Sequence, residues 1–254
     1  MVTAAPLMPQ GNIDLYYIGY WNRMATHNQG TGPEHRDSVG TRLWGNPKPF
    51  DYNFEFVYQF GTFGKGDIQA WTAASDTGYT LDSLPLSPRV GLKADITSGD
   101  RNPHNPNLQT FNPPFPKSAY FSEDGLIGPM NHIDVNPTVD LHVRNNLTLS
   151  LNWDFFWRES TRDGVYNNSL VLVRPAGNSS AKYVGSQPQV VLQWNVDRHI
   201  TFVAIYAHLF AGEFIEHHSG ASLICAPSIA VAFFRNQVSL RRSISRYYAR
   251  LRAL

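Results

Sequence analysis

The sequence predicts an all-β fold: a partial antiparallel transmembrane β-barrel of the outer-membrane type, with about 9–10 strands. Three observations carry this. In residues 147–157, Leu147, Leu149, Leu151, Trp153, Phe155 and Trp157 fall on one face of a strand. Thr148, Ser150, Asn152 and Asp154 fall on the other, with Phe156 the exception; successive side chains point to opposite faces. The segment has the length of a tilted bilayer-crossing strand, about 9–11 residues, where soluble sandwich strands run about 5–6. Finally, strand-like stretches are separated alternately by short turns and long polar loops, the arrangement of a barrel with two unlike rims.

Each element has its own signal. Residues 12–24 form the first stretch, followed by an expected Gly/His/Pro-rich loop at 25–37. Residues 38–45 come next, then a tight turn at Asn46-Pro47-Lys48-Pro49. In residues 51–60, Tyr52, Phe54, Phe56, Tyr58 and Phe60 share one face, and Asn53, Glu55, Val57 and Gln59 the other. A turn at 61–66 leads into 67–74, and a turn at 85–88 into 89–97. There Val90, Leu92, Ala94 and Ile96 oppose Arg89, Gly91, Lys93 and Asp95. Residues 98–131, rich in Pro and Asn, form the longest loop, of a kind commoner outside or inside a barrel than in a compact soluble domain. Residues 135–143 alternate again, and Arg144-Asn145-Asn146 turns into 147–157. After a second long loop at about 160–181 comes a hairpin of 183–196 and 200–211, whose return strand is apolar on both faces and leaves its register open.

Composition agrees. Hydrophobic content is 42% and mean hydropathy −0.31, as a barrel exposing alternate residues to lipid would average. No run of 18 apolar residues exists, which excludes a helical span. The six Trp, twelve Tyr and fifteen Phe suit rings lining two interfaces. A net charge of +1 gives no general pull toward nucleic acid. Cys225 alone excludes an internal disulfide. The opening Met-Val-Thr-Ala-Ala-Pro lacks the basic and apolar regions of a secretory signal, so the leader is expected to have been removed or to lie upstream. After about residue 220 alternation fades, and residues 235–252 are basic. We therefore read 1–220 as a partial barrel domain and 221–254 as an atypical basic tail. Two explanations of the tail stay open: an aberrant end from a frameshift or truncated frame, or a short amphipathic surface helix at 236–252.

Several segments in order resemble the alginate-export family. They are residues 54–61 (Phe-Glu-Phe-Val-Tyr-Gln-Phe-Gly), 88–100 (Pro-Arg-Val-Gly-Leu-Lys-Ala-Asp-Ile-Thr-Ser-Gly-Asp) and 111–116 (Phe-Asn-Pro-Pro-Phe-Pro). They continue with 156–160 (Phe-Trp-Arg-Glu-Ser), 163–166 (Asp-Gly-Val-Tyr), 183–185 (Tyr-Val-Gly) and 210–214 (Phe-Ala-Gly-Glu-Phe). The resemblance implies an outer-membrane barrel passing an anionic polysaccharide, with roughly twice the strands this chain builds, so that the chain looks like a C-terminal half. The partners it implies are an anionic polysaccharide or small anionic solute, outer-membrane lipid and periplasmic export components, in the bacterial outer membrane.

If the apolar faces meet lipid, Arg42, Glu55, Arg89, Lys93, Asp95, Asp140, His142, Asp154 and Arg158 point into the lumen. Inward Arg and Lys can hold the carboxylates of a passing uronate polymer, Arg bidentately, while acidic neighbours keep contacts weak. The plain alternative is a structural lumen network of mutually paired charges. Ser98-Gly99-Asp100-Arg101 is foremost a turn rather than a cation or sugar site. His217-His218 near Glu213 and Glu216 lack a third ligand at useful spacing. Asp154 and Glu159 lie on opposite parities, poor geometry for a glycosidase pair. Cys225 has no positioned base, and Asn145-Asn146-Leu147-Thr148 lies in a tight turn. No catalytic set, cofactor or metal site emerges, so a conduit rather than an enzyme is expected. The competing reading is a soluble or periplasmic ligand-binding β-barrel, which requires an apolar interior and polar exterior.

Overall fold

The computed structural model describes residues 2–8, 11–114, 125–216 and 228–235. Its strands are β1 (Val2–Met8), β2 (Gly11–His27), β3 (Gly30–Gly45), β4 (Phe50–Phe63), β5 (Gly66–Thr80), β6 (Arg89–Thr97), β7 (His132–Arg144) and β8 (Leu147–Trp157). Then come β9 (Val165–Tyr166), β10 (Leu172–Arg174), β11 (Tyr183–Asn195), β12 (Ile200–Ala207), β13 (Phe210–Ala211), the single-turn α1 (Glu213–Glu216) and β14 (Ser228–Arg235). One 12-stranded sheet runs β1-β2-β3-β4-β5-β6-β7-β8-β11-β12-β14, with β13 on β11, and β9 and β10 form a separate pair. Every pairing between named strands is antiparallel. Among the described residues β1 and β14 are the sheet's edges, and it does not close on itself.

The expected strands are present, most of them longer than their alternation. The expected loop at 25–37 is instead mostly strand: β2 and β3 run to a tight turn at residues 28–29, paired from Gly11↔Gly45 to His27↔Gly30 with a register shift between Asn22 and Ala25. Pro33, Gly30 and Gly32 disguise this stretch in the sequence. A β-hairpin loop of two residues needs no long polar connector, and β3 tolerates Pro33 near its end. The surface helix that is one expectation for 236–252 lies outside the described residues, as do His217, His218 and Cys225.

Short connections at residues 46–49, 81–88, 145–146 and 196–199 lie at one rim. At the last, Asp197 Oδ1 accepts from the backbone of His199 (2.6 Å) and Ile200 (2.9 Å), an Asx turn; these bonds hold its carboxyl below the ordinary range. Of the long connections, residues 98–114, 125–131, 158–182 and 208–216 are described, and these lie at the opposite rim.

The sheet's two faces are the reverse of a soluble protein's. Phe54 is 43% and Trp153 46% exposed, with Phe56, Tyr58, Phe60, Val90, Leu92 and Leu151 also outward, while Asp154 is 2% exposed. Tyr16 shows how tightly the other face packs. It lies across from Gly40 in register, and a Cβ at Gly40 would come within 2.1 Å of its ring. The ring thus covers the glycine, and its hydroxyl donates to Glu55.

Two apolar clusters break the polar wall, both toward the long-loop rim. One joins Val57, Phe63, Ile68 and Ala70 to Leu108 and Phe111 of the first long loop. The other gathers Ile127, Phe156, Val165, Val184, Leu209 and Phe214. This explains why Phe156 departs from the alternation of β8: it faces inward and is fully buried beneath the second loop.

Candidate functional site

The polar face of the sheet is the candidate site, and register decides what its charges do. β6 and β7 place Arg89 directly across from Asp140. Arg89 also donates to Asp51 (2.8 and 2.5 Å) and to Asp76 (3.1 Å), and lies 3.6 Å from Asp140. One guanidinium is thus held by carboxylates from three strands. Arg42 donates to Asn53 (2.6 Å), lies 3.8 Å from Asp14 and sits 5.1 Å above the Trp44 ring. It stands across from Glu55 in register. These residues surround a cavity of about 640 Å³ at the short-turn rim, lined by Arg42, Trp44, Asp51, Asp76, Arg89 and Asp140 among others. His142 lines it too, at 3.1 Å from the Ser87 carbonyl.

Toward the long-loop rim, Lys93 and Asp95 lie across from Asn136 and Asp134, and Asp154 across from Gln187. Asp95 and Asp154 are buried and Lys93 half-buried. Arg158, in contrast, lies off the wall, fully buried just past β8. It donates to the carbonyls of Thr161 (3.0 Å), Asp163 (3.1 Å), Ser179 (2.9 Å) and, through two nitrogens, Ala181. Its plane covers the Phe214 ring at 3.7 Å. A guanidinium has five N–H donors, and these contacts take them up. Burial, with Arg174 nearby, holds its pKa down to about 10, although Asp163 opposes the shift.

Sequence reasoning did not find the residues that fasten the loops to the wall. Arg36, fully buried, donates to Glu34 (2.5 Å), to Gln59 Oε1 (2.6 Å) and to the carbonyl of Thr110 (3.0 Å). Gln59 Nε2 donates to the carbonyl of Asn112 (2.8 Å). Upper β5, beyond its pairing with β6, takes Leu108 instead: Gln69 N donates to its carbonyl (3.0 Å) and Leu108 N to Asp67 O (2.9 Å). Asp163 then ties the two loops together. It accepts from Thr110 Oγ1 (2.5 Å), the Asp100 amide (2.9 Å), the Gly164 amide (2.7 Å) and the Tyr166 hydroxyl (2.8 Å). Burial raises the carboxyl pKa of Asp163 and of Asp100 despite these bonds. Ser98-Gly99-Asp100-Arg101 is part of this loop knot: Gly99 N and Arg101 both reach Glu159 (3.0 and 2.5 Å). Glu159 is therefore engaged at the rim, away from Asp154. Among the described residues no group of three His, Cys, Asp or Glu side chains could hold a metal ion.

The family model for alginate export matches residues 1–225. The chain belongs to the alginate-export family. No curated protein matches it. Among solved structures it is similar to the NanC porin in a rhombohedral crystal form, at 9% identity and a TM-score of 0.43, over 90% of this chain and 94% of that one. The assignment rests on the family match. For an alginate-export family member, an aromatic outer face over a charged inner face is the arrangement a lipid-embedded antiparallel β-barrel requires.

Proposed function

We propose that this alginate-export family member is an outer-membrane channel that lets an anionic polysaccharide or a related anionic solute move along its polar face. The reversal of faces carries this reading: rings on the outside, carboxylates and guanidinium groups on the inside. A ligand-binding barrel with a dry interior would need Phe54 and Trp153 inside and Asp154 outside.

Lys93, Arg42 and Arg89 are the cations a uronate carboxylate would meet, with acidic neighbours keeping each contact weak enough for release. Arg158 serves instead to hold the second loop. Passage through such a wall needs positioning and release rather than bond making, so the role is transport and not catalysis.

Expression with a bacterial leader, followed by membrane fractionation and reconstitution, tests this. The protein is expected in the detergent-extracted membrane fraction. Uronate oligomers should interrupt its ion current, less often in a Lys93→Glu, Arg42→Glu double variant. A protein left in the soluble fraction, or interruption unaffected by the double change, would sink the reading.

A further inference from the structure

The ion pairs of the short-turn rim do not use up the lining of its cavity. Strands β3 to β8 and β11 all contribute to that lining, so the sheet curls into a trough there. The charged groups are committed to one another. Arg89 is shared by Asp51, Asp76 and Asp140, and Arg42 has Asn53 and Asp14.

What remains is neutral. Thr148 of β8 and Gln193 of β11 stand opposite each other in register, line the cavity and are not buried. Among the described residues neither side chain has a hydrogen-bond partner. Ser150, two residues along β8, gives its proton to Asp140 (2.6 Å), which leaves its oxygen able to accept. Trp44 adds a flat apolar surface. Its ring is held by the Nε1–H bond to Asp14 (2.9 Å) and by Arg42, 5.1 Å from the ring centre.

We infer that this cavity seats pyranose units of the passing glycan by their hydroxyls and C–H faces rather than by carboxylates. The inference rests on the channel reading and names the part of the solute that this rim reads. A pyranose carries hydroxyls around its edge and weakly positive C–H groups on its faces. An aromatic face is negative, so the C–H face lies on Trp44 while the hydroxyls meet Thr148, Ser150 and Gln193. An amide both donates and accepts, as a sugar hydroxyl does. The volume, about 640 Å³, falls among small-molecule sites of about 300–1,000 Å³. Short turns face the periplasm in barrels of this type, so the seat stands where an exported chain enters.

The test is interruption of the ion current of the full-length protein in planar bilayers by maltopentaose, a neutral glucose oligomer. Interruption is expected, with the half-blocking concentration raised about tenfold in a Thr148→Val, Gln193→Leu variant, which loses two neutral hydrogen-bonding groups. Trp44→Ala should weaken the block similarly, and Trp44→Phe, which keeps a ring, much less. Should Trp44→Ala fail to insert, the double variant decides alone. Interruption by uronate oligomers but not by the neutral one would overturn the inference and leave the channel reading standing. So would a neutral block unmoved by the double variant. No current at all would overturn the channel reading and this inference with it.

Discussion

Arg36 and Thr110 are joined across 74 residues by a 3.0 Å hydrogen bond from the guanidinium to the main-chain carbonyl. The bond fixes the first long loop against the inner face of β3. With the Gln59–Asn112 bond beside it, it makes the loop part of the wall rather than a free lid.

Arg36→Met should therefore loosen residues 98–114. The change also takes the buried guanidinium from Glu34, which keeps His27 and Asn112 as partners, so the cost should stay at or below the about 3–5 kcal/mol of breaking a buried pair. Limited proteolysis of the inserted protein is expected to cut this loop much faster, while the strands stay protected. Unaltered cleavage would show that the apolar contacts of Leu108 and Phe111 suffice.

Loop attachment should depend on pH through Asp163 and Asp100. Their folded-state pKa values are raised above the unfolded ones, so their contribution to stability is complete below the ordinary carboxylate range. It is lost as pH climbs through the raised values. Hydrogen exchange of residues 98–114 should accordingly be slower at pH 4 than at pH 7, after correction for intrinsic rates. Asp163→Asn should show a smaller difference and weaker protection, because an amide NH₂ cannot accept from both pairs of donors.

Arg158→Lys keeps the charge but has only three donors and no plane to lay on Phe214. Losing charged hydrogen bonds at about 1.5–3 kcal/mol each should lower resistance to heat in detergent. Protease access to residues 158–182 is expected to rise with it. Equal stability would mean the carbonyls find water.

On the outer face, Leu151→Arg should destabilise insertion by about 2–4 kcal/mol if it lies near the bilayer midplane. Urea titrations of folding into vesicles measure this. A neutral effect would place Leu151 away from hydrocarbon.

Gly40→Ala should cost about 1–3 kcal/mol, as overpacking does, since the new methyl meets the Tyr16 ring. Tyr16→Ala in the same background should recover part of it, read by the same titrations.

Alternation exposed β4, β6, β7 and β8 in the sequence because their two faces meet opposite solvents. The signal faded where that contrast fades. Residues 25–37 extend the β2–β3 hairpin past the alternating stretch, so His27, Glu34 and Arg36 read as loop. Residues 75–78 of β5 (Ser-Asp-Thr-Gly) are small and polar and concealed its extension to Thr80. At the site, the charges themselves were legible, but their partners were not. Asp140 meets Arg89 only because of the β6–β7 register, and a long loop between those strands leaves register undetermined from the chain. The role of Arg158 depends on carbonyls, which carry no sequence signature.

The tip of the β2–β3 hairpin holds more than its own strands. Asn28 bonds through its amide to the Tyr166 hydroxyl (2.9 Å), through its side chain to the Arg162 carbonyl (3.2 Å), and accepts from Ala176 N (2.9 Å). A hairpin closed by two residues forms from neighbours in the chain, on the order of microseconds, whereas these anchors lie more than a hundred residues downstream. The order of assembly follows: the hairpin comes first as a scaffold, and the second loop settles late, once the strands that carry it have zipped into place.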